Sequence, residues 1–401
     1  MEINSGDTAW VLTSAALVMI MTPGVAFFYG GMVRAKSVLN MMMMCFGAMA
    51  TIGVMWVLYG YSLAFGNSIG GLVGNPTEYL GLQGLMSEDA VAGSIPAIAF
   101  VAFQAMFAII ATALIAGGIA DRAKFSTWMV FTVLWGTIVY FPIAHWVFAF
   151  DSADGSVRGG WIANQLQALD FAGGTAIHIN AGAAALALVL VIGNRHGFRK
   201  DPMRPHNLTL VMLGAALLWF GWFGFNAGSA VAANTTAGVA FVNTLAATSA
   251  AILGWLAVER VRDGHPTSLG AASGIVAGLV GTLLIGFLAT SASPAGVDGL
   301  FYGGGVDQLW RQAVGAFTVL IVSFVVTYII GFVLHKTMGF RIDHEHELEG
   351  IDRHEHAETA YELLGQPGVR SMSAGFARAS TTSGDRHDTS AAQNNEGAVN
   401  Q

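Results

Sequence analysis

An aspartate and a histidine set in apolar sequence are the residues of this chain best suited to chemistry. Residues 170–182 read Asp-Phe-Ala-Gly-Gly-Thr-Ala-Ile-His-Ile-Asn-Ala-Gly, with Asp170 at the start and His178 inside. The apolar run they open continues to about Ile192. An ionisable group in an apolar span is costly, so it faces protein or water and usually has a task. Gly174, His178 and Gly182 are four apart, which on a helix sets the imidazole between two residues that have no side chain. That leaves room beside the ring for a small ligand or a closely packed helix. Asp170 and His178 are eight residues apart, roughly 12 Å along a helix axis, too far for a hydrogen-bonded dyad. As an N-cap, Asp170 would accept from free N–H groups and complement the helix dipole. A buried cap and a packed histidine fit the same residues.

Aromatic residues next to a hydroxyl offer a second chemistry. Phe103 and Phe107 are one turn apart, beside Gln104. Trp219, Phe220, Trp222, Phe223 and Phe225 crowd together just before Asn226 and Ser229. Ring faces attract a small cation and a hydroxyl oxygen accepts a hydrogen bond from it. Ordinary aromatic packing is the competing reading.

The elements that must carry these residues are membrane helices. The chain has 401 residues, 54% hydrophobic and only 11% charged, with a mean hydropathy of +0.59. A soluble chain carries about 25% charged residues. The apolar segments are too long and unbroken for barrel strands. The sequence predicts an all-α membrane protein, a polytopic bundle of about nine spans near 9–31, 41–65, 95–119, 126–150, 172–192, 208–229, 236–258, 267–289 and 312–334. Arg34 and Lys36 follow the first span, Arg122 and Lys124 the third, Arg195, Arg199, Lys200 and Arg204 the fifth, and Arg260 and Arg262 the seventh. The alternate connections hold almost no Lys or Arg. Positive residues stay in the cytoplasm, so the N-terminus is outside and the C-terminus cytoplasmic.

Gly fills 51 positions, and Gly270, Gly274 and Gly278 form a small-residue ladder that lets helices approach. Trp10, Trp56, Trp146, Trp161, Trp255 and Trp310 fall near span ends, as an interfacial belt would. One cysteine, Cys45, excludes an internal disulfide. No basic cluster suggests nucleic acid, and no basic stretch before the first span suggests a cleaved signal. The net charge of −7 gathers in loops and tail. Residues 1–338 read as the transmembrane domain and 339–365 as a charged, solvated cytoplasmic tail. Residues 366–401, rich in Ser, Thr, Asn and Gly, read as disordered. The His344-Glu-His346 and His354-Glu-His356 pairs have no fixed geometry for metal, and no motif asks for a cofactor.

Residues 24–40 (GVAFFYGGMVRAKSVLN), 140–145 (YFPIAH), 170–180 (DFAGGTAIHIN), 205–208 (PHNL) and 221–229 (GWFGFNAGS) resemble signature blocks of the ammonium transporter family, Amt/Mep/Rh, on its bacterial Amt branch. Gly339, Arg341, Glu349, Gly350 and Asp352 resemble the family's cytoplasmic tail segment. The resemblance implies a non-enzymatic homotrimer in the plasma membrane, with one narrow apolar pore per subunit for ammonium, ammonia or methylammonium. It assigns Phe107 and Ser229, with Phe103 beside them, to an outer recruitment site. Phe107 and Phe225 would form a stacked gate, Trp222 would line the pore, Asp170 would order the region, and His178 would be the first pore histidine. A PII-type signalling protein would meet the cytoplasmic loops and tail. Phe148 stands where many bacterial members have Trp, and a Phe face holds a cation less strongly.

One departure from the family is large. Members have eleven spans and a later Asp-Val-Phe-Gly-Val-His-Gly block that supplies a second pore histidine. This chain has no His between His265 and His335. Residues 270–280 resemble the first half of the eighth span and run directly into 281–288, which resemble the second half of the tenth. An internal deletion at 280/281 is therefore expected. An ammonium sensor, or a PII-binding regulatory subunit that transports little, is the alternative such a chain suggests. A membrane redox enzyme using His145, His178 and His335 as haem ligands does not fit, because His145 and His335 lie at span ends and no paired-histidine pattern exists.

Overall fold

In lipid a backbone must satisfy its own polar groups, so long apolar stretches form helices. The computed structural model describes residues 2–152, 155–201, 203–276, 281–294 and 296–361. Its helices are α1 Ser5–Met32, α2 Val38–Phe65, α3 Ala97–Ile119, α4 Phe125–Phe148, α5 Gly174–Ile192, α6 Leu208–Ala230 and α7 Thr235–Asp263. Then come α8 Ser268–Val276, α9 Gly281–Leu288, α10 Asp307–Thr337, α11 His344–Glu349 and α12 Ile351–His356. Among the described residues, 8 of these helices are long and apolar enough to cross a membrane. The ninth expected span, 267–289, corresponds to α8 and α9; residues 277–280, Gly278 among them, lie outside the described residues, as does the expected disordered tail 366–401.

The contacts at the helix ends sort the connections as the charges predict. Asn4 caps α1 and its own N–H donates to Ser94 O at 2.8 Å, while Ala233 N–H donates to Asp7 at 2.8 Å. The loops poor in Lys and Arg thus meet at the end that holds the N-terminus. Arg34, Asp121, Arg195 and Glu347 meet at the opposite end. α10 begins beside Leu169, back at the first end, so the chain changes ends between Asp263 and Asp307 and again along α10. The N-terminal residues and the tail helices α11 and α12 lie at opposite ends.

α1 and α6 cross at backbone contact. A Cβ added at Gly214 would stand 2.3 Å from Phe28 N and 2.6 Å from Gly24 O, so only glycine permits this approach. α10 lies along α5, where Ser323 Oγ donates to Asn180 O at 2.8 Å, and touches α4, where Trp135 Nε1–H donates to Thr327 Oγ1 at 3.1 Å. Among the described residues, four spans contain a π turn, a local widening by one residue: Trp56–Gly60, Gly136–Tyr140, Gly174–Ile179 and Phe223–Ala227.

Three expectations need correction. Trp56 and Trp146 are not belt residues: they are buried, and their indole N–H groups donate to Val101 O at 3.1 Å and Leu72 O at 2.6 Å. Trp255 and Trp310 are exposed, as a belt requires. The tail is not simply solvated, because Glu347 and Asp352 are buried against the helical body. Asp352 accepts from Leu39 N at 3.0 Å and Asn40 N at 2.8 Å, capping α2, whose own Ser37 makes no cap bond. Glu355 likewise accepts from Phe125 N at 2.9 Å at the start of α4. A carboxylate there satisfies orphan N–H groups and suits the helix dipole.

α7 is the least buried span. Only Ala237 and Thr244 on it are buried, while Val242, Leu253 and Val261 are exposed.

Candidate functional site

Asp170 does cap α5, but from three residues before Gly173, which itself occupies the N-cap position. Its carboxylate accepts from Gly173 N at 2.7 Å, Thr175 N at 2.9 Å and Ala176 N at 3.0 Å. Burial pushes the carboxyl up from its usual range, and the N–H groups of Ala176, Gly173 and Thr175 pull it back. The chain enters the helix through Gly173 at φ 98°, a left-handed conformation that glycine adopts without strain. The carboxylate therefore fixes the π turn that bears His178 and leaves the imidazole free of it, as the eight-residue spacing requires.

The imidazole meets rings instead. Its centroid lies 5.7 Å from that of Phe225 and 6.1 Å from that of Trp222, with the latter ring nearly parallel at 26°. Phe225 sits on another of these π turns, Phe223–Ala227 of α6. Phe225 touches Phe107 of α3 at 4.6 Å, and Phe107 touches Phe103 at 4.7 Å with a 75° edge-to-face angle. These separations are van der Waals contact between rings. Phe103, Phe107 and Phe225 are all buried. The structure thus joins Phe103, Phe107, Phe225, Trp222 and His178 into one continuous aromatic column.

Ser229 stands one turn beyond Phe225. Its hydroxyl donates to Phe225 O at 2.8 Å, which leaves the oxygen lone pairs available as acceptors. Asn226 in the same turn donates to Thr244 of α7 at 2.9 Å. Phe148 is half-buried at the end of α4 and packs on the core; among the described residues it makes no ring pair with Phe103, Phe107 or Phe225.

At the opposite end lies a cavity of about 520 Å³, lined by Phe28, Tyr29, Arg122, Asn194, Arg195 and Leu269 among others. Arg122 does not reach for a ligand. Each of its three guanidinium nitrogens donates to a backbone carbonyl: to Gly193 O at 2.9 Å, Ala120 O at 2.9 Å and Gly118 O at 3.1 Å. Burial first, then the neighbouring Arg341 and Arg195, push its guanidinium down to about 10. Glu347 of the tail accepts from Arg341 at 2.7 Å and His196 N at 2.6 Å and lies 3.6 Å from Arg34. Glu347 was not singled out from sequence, because nothing local distinguishes it from Glu345 or Glu349. Gln312 was also missed, although Gln308 and Gln312, one turn apart in an apolar span, were a readable signal.

The Ammonium Transporter Family profile matches residues 9–282 and 278–361, in two segments. An ammonium transporter of Mycobacterium bovis is 52% identical over 434 aligned positions, covering 90% of this chain and 91% of that protein. One from Corynebacterium glutamicum is 39% identical over 416 positions, covering 90% of each. Both alignments are longer than the 401-residue chain, so these relatives contain stretches without a counterpart here. The crystal structure of Saccharomyces cerevisiae Mep2 is 28% identical and superposes with a TM-score of 0.74, over 86% of this chain and 89% of that one.

Proposed function

Because this chain belongs to the ammonium transporter family, a family of transporters and not of enzymes, we propose that it takes up ammonium or methylammonium through its own aromatic column. The observation that carries the reading is the unbroken contact from Phe103 through Phe107 and Phe225 to His178.

In this reading ammonium arrives at the outer end of the column. Potassium is similar in size but donates no hydrogen bonds. The Ser229 oxygen and the faces of Phe103, Phe107 and Phe148 compensate part of the lost hydration, and the hydroxyl selects the donor. Phe107 and Phe225 stand as a closed gate that must part for passage. An unpaired charge beyond it would be very costly, so the proton is given up. His178, held by the Asp170-capped turn and flanked by Trp222, accepts and returns protons along the path. The protein works as a homotrimer in the plasma membrane, and its cytoplasmic loops and docked tail receive a PII-type partner.

We further propose that the chain lacks a segment at 280/281. The two-part family match and the excess alignment length support this. So does the absence of any His between His265 and His335, which removes a second pore histidine. That absence also favours a second reading, an ammonium sensor or regulatory subunit that binds a PII-type protein and transports little.

Labelled methylammonium uptake, in cells without their own ammonium transporters, separates the two. Uptake by this chain at matched membrane levels supports the transporter. Uptake only after a family-type two-span segment is restored at 280/281 overturns it in favour of the regulatory reading.

A further inference from the structure

Gln312 of α10 carries an amide that no role described above uses. It is 1% exposed. Its Oε1 accepts from Leu169 N at 2.6 Å and its Nε2 donates to Leu169 O at 2.8 Å. One side-chain amide thus pairs with both backbone groups of a single residue, as a neighbouring strand would. Gln308, one turn earlier and 7% exposed, donates its own Nε2 to the same Oε1 at 3.0 Å. Arg311 next to it donates to Leu166 O at 3.3 Å and to Gln167 Oε1 at 2.5 Å.

Leu169 is the residue before Asp170. The loop between α4 and α5 contains Gln167 at φ 56°, a conformation that a non-glycine residue keeps only where its surroundings impose it. A carboxylate can accept from the start of a helix in several poses, but a carboxylate whose own backbone is held at the preceding residue has far fewer. We infer that Gln312 is a positioning residue for the pore. It fixes Leu169, and thereby the pose in which Asp170 caps the turn that carries His178. The inference rests on the reading of His178 as a pore residue, so it is tested by one measurement that needs transport and one that does not.

The variants are Gln312→Met, similar in size but without the amide, and Gln312→Glu, which keeps an acceptor for the Leu169 N–H. Thr327→Val is the matched control. It removes a buried acceptor from the same helix, the partner of Trp135 at 3.1 Å, without touching residues 166–170.

In purified protein, amide hydrogen exchange at Gly173, Thr175 and Ala176 should accelerate by about tenfold or more in Gln312→Met, less in Gln312→Glu, and not in Thr327→Val. Unchanged exchange in Gln312→Met, or an equal rise in Thr327→Val, overturns the inference. In methylammonium uptake, Gln312→Met should lower the maximal rate by about tenfold while the half-saturation concentration stays within about twofold. The recruitment residues on α3, α4 and α6 keep their places. A change confined to half-saturation also overturns it. If Gln312→Met fails to fold, Gln312→Glu decides: exchange at Gly173, Thr175 and Ala176 faster than in the unaltered chain and in Thr327→Val supports the inference, and unchanged exchange overturns it. If the unaltered chain transports nothing, the pore reading fails, and the exchange result alone decides whether Gln312 positions the Asp170 cap.

Discussion

His178 and Phe225 face each other with centroids 5.7 Å apart, each on a π turn of its own helix. A π turn places one more residue in a loop of the helix and shifts every later side chain around the axis. The imidazole and the ring of the proposed gate meet because both helices widen at the same depth.

Replacing His178 by alanine should therefore cut selective methylammonium uptake by about a hundredfold, the scale of a lost proton-transfer group. The variant should still insert and assemble, since the Asp170 bonds go to backbone groups of Gly173, Thr175 and Ala176. Uptake at the original rate, with normal membrane levels, would remove His178 from the mechanism.

Ser229→Ala is expected to act on recruitment. The acceptor it deletes is worth about 1.4 kcal/mol, or tenfold in half-saturation, with little change in maximal rate. A concentration series of uptake measures this, and a fall in maximal rate alone would place Ser229 elsewhere on the path.

Gly214→Ala tests the crossing of α1 and α6. The new methyl would stand 2.3 Å from Phe28 N and 2.6 Å from Gly24 O, both backbone atoms. The helices must part, at a cost of about 1–3 kcal/mol. Gly254→Ala in α7 meets nothing within 4 Å and should be neutral or slightly stabilising. Thermal unfolding in detergent compares them; equal transitions would mean that α1 and α6 do not cross this closely.

The two buried tail carboxylates should respond to pH in opposite directions. Burial alone would raise Glu347, but the His196 N–H, Arg341 and Arg34 outweigh it and hold the carboxyl below its ordinary 4.5. A depressed folded value gives stability that is present above the unfolded value and lost as pH falls through the folded one. The Glu347 latch thus holds at neutral pH and fails only in acid, below about pH 4.5. Burial raises Asp352, and its bonds to Asn40 and Leu39 offset only part of this. Its ionised form is disfavoured in the fold, so its contribution grows as pH falls. Limited proteolysis of the tail at neutral pH should therefore show faster cleavage in Glu347→Gln, by a loss of about 1.5–3 kcal/mol. Asp352→Asn keeps one of the two acceptor oxygens that Leu39 N and Asn40 N use, so its cleavage should rise less than that of Glu347→Gln. The reverse order would refute this account of the latch.

Much of this architecture could be read from the sequence because the bilayer imposes simple rules. Arg34, Arg122 and Arg195 marked one end of the bundle, and that end is where the tail docks. Asp170 was legible as a cap because its separation from His178 left it no other local role. The π turns were not legible, since the extra residue leaves no mark in composition. Trp56 and Trp146 were misread because nearness to a span end does not tell which way an indole points. Glu347 and Asp352 were beyond reach for another reason: Leu39 lies 313 positions from Asp352 in the chain, and one sequence does not reveal such a pairing.

The sparse packing of α7 has a mechanical consequence. Its 29 residues extend about 43 Å, well beyond the roughly 30 Å of hydrocarbon it must cross. With only Ala237 and Thr244 buried, few contacts within the subunit hold its tilt. A thinner bilayer lays such a helix over and a thicker one stands it up. Thr244 is also the residue that Asn226 grips at 2.9 Å, one position from Phe225. A change in the tilt of α7 would therefore be felt first, through that hydrogen bond, at the turn that carries Phe225.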